Sequence, residues 1–162
     1  MFEKLFRGRK AEEGGRLLAV QNGKVVPLEE VPDPVFSQKV LGEGVAIYPE
    51  DGKIYSPVSG IIDSVMETGH ALAIIAKDGA QILIHVGLNT VELQGEGFVT
   101  HVTAGQKVNA GDLLLEVDLE LLQSKGLSAI TPVLLLNKDS FQEVIPFTGA
   151  AKAGETVIIQ YR

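Results

Sequence analysis

The chain contains no cysteine. Disulfides, thiolate metal sites and cysteine nucleophiles are thereby excluded, and a reducing compartment is permitted. Long apolar runs are missing too. The longest stretch of branched aliphatics, Val133-Leu134-Leu135-Leu136, is far too short to cross a bilayer. The basic start is not followed by the apolar segment that a secretory signal needs, so a cytoplasmic location is expected. Positive charge is scarce overall. A formal net charge of −7 at pH 7 argues against nucleic acid, whose phosphates require Lys and Arg, and suits a basic protein partner. No Gly-x-Ser-x-Gly elbow and no Gly-x-x-x-x-Gly-Lys-Ser/Thr loop occurs, so a serine hydrolase and a phosphate-loop nucleotide site are both unsupported.

What is present describes one globular domain. The 162 residues, 45% hydrophobic and 22% charged, can bury a substantial core. The 18 Gly and seven Pro punctuate many short strands. Leu17–Val20 and Lys24–Val26 flank Gln21-Asn22-Gly23, and Asn-Gly predicts a hairpin. The stretch from Ile54 to Ile62 resembles a second copy of that unit, with Gly60 in the place of Gly23, which suggests an internal duplication. Gly111-Asp112 and Gly154-Glu155 open two similar turns. A short helix is expected over residues 33–42, with Asp33 as N-cap, Pro34 in the first position and Gly42 as the stop. A second helix follows Asp118 and ends before Gly126. Further strands are expected over Val45–Tyr48, Leu72–Ala76, Ile82–Val86, Leu113–Val117, Val133–Leu136 and Val157–Ile159. The expected fold is all-β, an antiparallel sandwich or closed barrel with short helical turns, occupying residues 16–162.

Residues 1–15 stand apart. Lys4, Arg7, Arg9 and Lys10 crowd the start, with Phe2, Leu5 and Phe6 at helical spacing. Such a segment could make weak contact with a membrane surface through residues 1–10. At this length an isolated helix is marginal, and a frayed, solvated terminus is the default reading.

Three histidines are available: His70, His85 and His101. The strand Ile82–Val86 turns Ile82, Ile84 and Val86 to one apolar face, leaving Leu83 and His85 on the other. The turn Asp78-Gly79 would fold the preceding strand back, bringing His70 beside His85. Thr68 lies two residues before His70 and could fix its tautomer through a hydrogen bond. Two imidazoles so placed either serve as nucleophile and stabiliser or bind metal. Zinc is the weaker option, because catalytic sites usually need three protein ligands. The polar, Gly-rich stretch after the strand, residues 89–98, offers backbone N–H groups to an oxyanion or phosphoryl group.

Several stretches together resemble a known family. Ile84-His85-Val86-Gly87-Leu88-Asn89-Thr90-Val91-Glu92-Leu93-Gln94-Gly95-Glu96-Gly97-Phe98 is similar to the signature of the glucose-family IIA proteins of the bacterial phosphoenolpyruvate-dependent sugar phosphotransferase system. Thr68-Gly69-His70-Ala71, Val31-Pro32-Asp33-Pro34-Val35-Phe36, Gly42-Glu43-Gly44-Val45-Ala46 and Thr131-Pro132-Val133 match it as well. The likeness runs from about Val20 to the C-terminus, without the IIB and IIC modules that some members carry.

The resemblance implies a phosphohistidine relay on a β-sandwich of the duplicated hybrid motif type. His85 would accept a phosphoryl group on Nε2 from the phosphocarrier protein HPr and pass it to a cysteine of a permease IIB domain. His70 would stabilise the phosphoryl oxygens and Thr68 would orient His70. Val35, Phe36, Val40, Leu41 and Leu83 would form an apolar docking ring, with Asp33, Glu92 and Asp139 facing HPr's basic residues. No cofactor is required, although His70 and His85 leave room for zinc in a partner complex, and regulatory targets are known among relatives. Three positions depart from or fall outside the pattern. Asn89 replaces an aspartate of some members, Met66 replaces an aromatic, and His101 matches no catalytic position. A lipoyl or biotin carrier shares the Gly-rich turns, but Lys107 and Lys152 lack the flanking pattern that modification needs.

Overall fold

The computed structural model describes residues 15–162. The basic segment discussed above therefore lies outside the described residues, except for Gly15, which opens the first strand. Alternating apolar residues between Gly-rich turns produce an antiparallel, mostly β structure. In chain order the strands are β1 (Gly15–Leu18), β2 (Gly23–Pro27), β3 (Glu43–Pro49), β4 (Lys53–Tyr55), β5 (Gly60–Val65), β6 (Ala71–Ala76) and β7 (Gln81–His85). They continue with β8 (Phe98–Thr100), β9 (Lys107–Val108), β10 (Leu113–Val117), β11 (Thr131–Leu135), β12 (Val144–Pro146), β13 (Gly149–Ala151) and β14 (Val157–Tyr161). Two short helices interrupt them, α1 (Pro34–Ser37) and α2 (Leu119–Ser124), together with three single 3-10 turns. No helix among the described residues is long and apolar enough to cross a membrane.

An eight-stranded sheet has the order β13-β2-β3-β11-β7-β6-β5-β9, and two three-stranded sheets have the orders β1-β14-β12 and β4-β10-β8. The expected duplication is visible in this topology. Exchanging β1, β2 and β3 with β4, β5 and β6, and β11–β14 with β7–β10, reproduces all three orders, with the pseudo-twofold axis between β7 and β11. Equivalent hydrogen bonds close each half: Gly154 N–H donates to Ala19 O as Gly111 N–H donates to Ser56 O. Gly23 and Gly60 are required where the strands approach closely, since a Cβ would lie 2.1 Å from Tyr48 O in one and 2.3 Å from Ile75 O in the other.

The hairpin predicted at Asn22-Gly23 does not form. β1 and β2 belong to different sheets, and the chain between them bonds elsewhere. Ala19 N–H donates to Thr156 O, Val20 O accepts from Tyr55 N–H, and Asn22 O accepts from Glu50 N–H. Tertiary partners for the backbone override the local turn preference. The first helix is also shorter than expected. Asp33 caps it through Val35 N–H at 3.0 Å, but it ends at Ser37 and the chain reverses at Lys39, whose φ is +57°. Gly42 is not the stop; it passes against β11, where a Cβ would meet Leu135 O at 2.4 Å. The second helix follows Asp118 and stops at Gly126, φ +70°, as expected, and the Asp118 side chain caps it.

Side-chain alternation gives the large sheet two apolar faces. Val25, Val45, Ile82, Ile84 and Val133 join Leu17, Ile54, Leu114 and Ile158 in the main core between the sheets. Their neighbours Val26, Ala46 and Leu134 face the other way, where Leu28, Val31 and Phe36 from the β2–β3 connection cover them. Phe36 is the anchor of this cover, and burying its ring contributes roughly 1.5–3 kcal/mol.

Candidate active site

The β6–β7 hairpin turns at Asp78-Gly79 and pairs Ala71 with His85, so His70 falls beside the end of β7. Val86 N–H donates to His70 O at 2.7 Å. The two imidazoles meet edge to face, with ring centroids 5.0 Å apart and planes at 81°. Ile82, Ile84 and Val86 are fully buried on the core side while His85 is half-buried on the other, as the alternation predicts. His70, at 4% exposure, is enclosed. A partner reaching the pair therefore meets His85 first.

Each ring is fixed at Nδ1. His85 Nδ1 lies 2.8 Å from Gly87 O. A carbonyl only accepts, so Nδ1 carries the proton, and neutral His85 presents a lone pair at Nε2. His70 Nδ1 lies 2.6 Å from Thr68 Oγ1, the contact expected from the sequence. It is reached through a turn and not an extended chain: Gly69 has φ +74° and donates to Met66 O. Burial holds the His70 imidazolium pKa below its ordinary value, and the neighbouring His85 lowers it further. Burial is also the largest influence on His85 and lowers it, against the raising effects of the Gly87 carbonyl and the Asp33 carboxylate. Both rings are held towards the neutral form.

The apolar surroundings follow from the second face of the sheet. Phe36 is buried and stacks obliquely on His85, centroids 5.1 Å apart; it supports the rim from beneath. Val35, Val40 and Leu41 are exposed, whereas Leu83 is half-buried against the Phe36 cluster. Leu136 packs there as well. Asp33 caps α1, as expected, and its carboxylate also acts on His85 electrostatically. Glu92 is exposed on the turn after His85. Asp139 is exposed at the other end of the sheet: Asn137 accepts from Gln81 N–H and donates to Gly79 O, about 13 Å along β7 from His85 at strand spacing.

The stretch 89–98 commits part of its backbone to its own turns. In a 3-10 turn over Thr90–Leu93 and the bends after it, the N–H groups of Glu92, Gln94, Glu96 and Phe98 donate to the carbonyls of Asn89, Val91, Leu93 and Gly95. An open cavity of about 290 Å³ lies beside this loop, lined by Glu92, Leu93, Glu96, Lys125 and Leu127. The histidines do not line it. Among the described residues no third His, Cys, Asp or Glu gathers into a metal-binding group. His101 is exposed and pairs with Glu116 at 2.8 Å, away from this chemistry, as expected. Met66 is exposed. Gly87 was the functional residue hardest to see in sequence. Its contribution is a carbonyl, and the only sign is its glycine identity, needed at φ +80° where a Cβ would lie 2.5 Å from Thr90 Cγ2.

Comparison with known proteins agrees with this geometry. The family model described as phosphoenolpyruvate-dependent sugar phosphotransferase system, EIIA 1, matches residues 15–141. A PTS system glucose-specific EIIA component from Oceanobacillus iheyensis is 45% identical, the match covering 99% of this chain and 98% of the relative. One from Haemophilus influenzae is 40% identical over 98% of this chain and 96% of that protein. The solved glucose permease IIA from Mycoplasma capricolum superposes with a TM-score of 0.82 at 39% identity, covering 90% of this chain and 94% of its own. With two imidazoles on a duplicated antiparallel scaffold and a family match over most of its length, the chain belongs to the EIIA 1 family of the phosphoenolpyruvate-dependent sugar phosphotransferase system.

Proposed function

We propose that His85 carries a phosphoryl group on Nε2, in a chain that, as an EIIA component, is the phosphoryl carrier between HPr and a permease IIB domain. The observation that supports this most directly is the Nδ1 contact of His85 with Gly87 O at 2.8 Å. It leaves Nε2 unprotonated, with its lone pair available. The Nε2 lone pair attacks phosphorus, the N–P bond of phospho-HPr breaks, and the HPr imidazole leaves with the bonding pair. The charge that develops on the His85 ring is held by its Nδ1–H donating to Gly87 O. With Thr68 Oγ1–H as donor to His70 Nδ1, 2.6 Å away, the His70 proton sits on Nε2, where it donates to the phosphoryl oxygens. In the second half-reaction a IIB cysteine thiolate attacks phosphorus and the N–P bond to His85 breaks. Positioning and charge neutralisation supply the catalysis, as is general for phosphoryl transfer.

A group handed between proteins needs an accessible rim and no enclosing pocket, which agrees with the histidines lying outside the cavity. Val35, Val40, Leu41 and Leu83 form the apolar rim, Phe36 supports it, and Asp33, Glu92 and Asp139 supply the negative charge that attracts HPr. The names of the relatives point to glucose as the sugar served, and exchange with HPr supports a cytoplasmic location. His70 and His85 could supply two zinc ligands through Nε2, with a regulatory partner completing the shell; four are usual.

Supplying phosphoenolpyruvate, enzyme I and HPr should add one acid-labile phosphoryl mass to the intact chain. His85→Ala should accept none. His70→Ala should accept it but pass it poorly to a IIB domain. Full labelling of His85→Ala would overturn the assignment.

A further inference from the structure

We infer that Thr90 is a positioning residue for phosphoryl transfer, acting through the backbone turn that holds the His85 tautomer. This rests on the reading of His85 as the carrier. Thr90 is fully buried, and its hydroxyl donates to Val86 O at 2.6 Å. That oxygen belongs to the peptide joining Val86 to Gly87, whose N–H donates to Ile130 O at 3.0 Å. The plane is therefore pinned at both ends. In the next peptide, Leu88 N–H donates to Ser128 O at 3.0 Å and Gly87 O receives the His85 Nδ1 proton at 2.8 Å. Gly87 sits in the left-handed region at φ +80°, a conformation nothing in its own side chain enforces. The orientation of Gly87 O thus depends on the planes either side being held, and Thr90 supplies the hydroxyl of that set.

A threonine accordingly stands behind each imidazole, Thr68 on the ring nitrogen itself and Thr90 on the peptide before the one whose carbonyl meets His85. If the Val86–Gly87 plane tilts, Gly87 O leaves the line of Nδ1 and nothing retains the proton there. The other tautomer, protonated on Nε2, has no lone pair with which to attack phosphorus. A single hydrogen bond of ordinary strength, about 1–1.5 kcal/mol, corresponds to roughly a tenfold change.

The test uses the intact chain with isotope-labelled histidine. Thr90→Val keeps the shape and removes the hydroxyl; Thr90→Ser keeps the hydroxyl. In the unphosphorylated protein, nitrogen NMR should show His85 protonated on Nδ1 in the wild type and in Thr90→Ser, with the Nε2–H form populated in Thr90→Val. Phosphoryl uptake from HPr should fall about tenfold in Thr90→Val and return to within twofold in Thr90→Ser. An unchanged tautomer and rate in Thr90→Val would overturn the inference, as would a Thr90→Ser variant as impaired as Thr90→Val. Should Thr90→Val not fold, the wild type decides. A slowly exchanging Thr90 hydroxyl proton coupled to the Val86 carbonyl carbon supports the inference, and its absence overturns it. The tautomer is read without phosphate, so failure of the carrier assignment, detected with His85→Ala, is distinguishable from failure here.

Discussion

Gly87→Ala offers the sharpest test of how the site is built, because the structure separates its cost into two parts. Any L-residue at φ +80° loses roughly 1–2 kcal/mol against the right-handed alternatives. The added Cβ would also lie 2.5 Å from Thr90 Cγ2 and 2.7 Å from Ser128 O. The second neighbour is backbone held by Leu88 N–H and cannot swing away. Overpacking of this kind costs typically 1–3 kcal/mol, so the total is about 2–5 kcal/mol, a large share of the 5–15 kcal/mol that holds a domain together. Gly126→Ala is the control. Its φ is +70°, and nothing lies within 4 Å of its Cβ, so only the backbone part applies. Alanine stiffens the unfolded chain equally in both variants, and that effect cancels in the difference. The chain has no tryptophan, so urea unfolding is best followed by circular dichroism. Gly87→Ala should be less stable than Gly126→Ala by at least 1 kcal/mol at an unchanged denaturant slope, and slower in taking phosphate from HPr. Equal losses in the two variants would refute the reasoning, since the steric contribution would then be absent.

Other perturbations test different parts of the molecule. Tyr161→Phe removes a buried hydroxyl that donates to Asp78 Oδ2 at 2.7 Å; it should cost about 1–2 kcal/mol in urea unfolding and leave phosphoryl transfer intact. Gln21 is fully buried, with neither amide atom bonded to a protein partner, so Gln21→Met should hold or raise stability by about 1 kcal/mol; a loss above that would show that the amide holds an internal water. The histidine pair gives stability a pH dependence of definite sign. Both imidazolium pKa values are lowered by folding, so just below pH 6.5 the unfolded chain binds more protons than the native one. Their neutral forms therefore contribute fully above that pH, and the contribution is lost as pH falls towards the lowered native values. Urea midpoints at pH 7.5 and 5.5 should differ less in a His70→Gln, His85→Gln double variant than in the wild type; an equal difference would refute the shifts.

The parts of the site that could be read from sequence are those where a side chain announces its own environment. Alternation in Gln81–Val86 assigns His85 to the outer face, and Asp78-Gly79 assigns its partner strand, so the pairing with His70 follows from two local rules. Asp33 read correctly as a cap for the same reason. Where the outcome depended on distant backbone, local rules failed. Asn22-Gly23 carries a strong hairpin signal, yet Asn22 O accepts from Glu50 N–H and its side-chain Oδ1 accepts from Ala153 N–H. Gly42 is glycine because β11 passes close, not because a helix ends there. β8, β9, β12 and β13, at two or three residues each, are too short to show a period. Gly87 O and the engaged amides of Glu92, Gln94, Glu96 and Phe98 are main-chain chemistry, which no residue letter records.

Asymmetry between the two halves makes the site. In the first half the link from β2 to β3 runs through residues 28–42 and lays Leu28, Val31 and Phe36 over the outer face of the sheet. The equivalent link in the second half, residues 66–70, is a tight turn through Gly69 that ends on His70. The pseudo-twofold axis between β7 and β11 brings these unequal links to neighbouring ground. The long one supplies an apolar wall on one side of His85 through Phe36, and the short one supplies the second imidazole on the other. Two equal short links would leave the wall out and expose both rings to water, removing the burial that keeps them neutral. Two equal long links would replace the Thr68–His70 turn and cover His85. A carrier that must be neutral to accept charge, and open to release it, requires one of each.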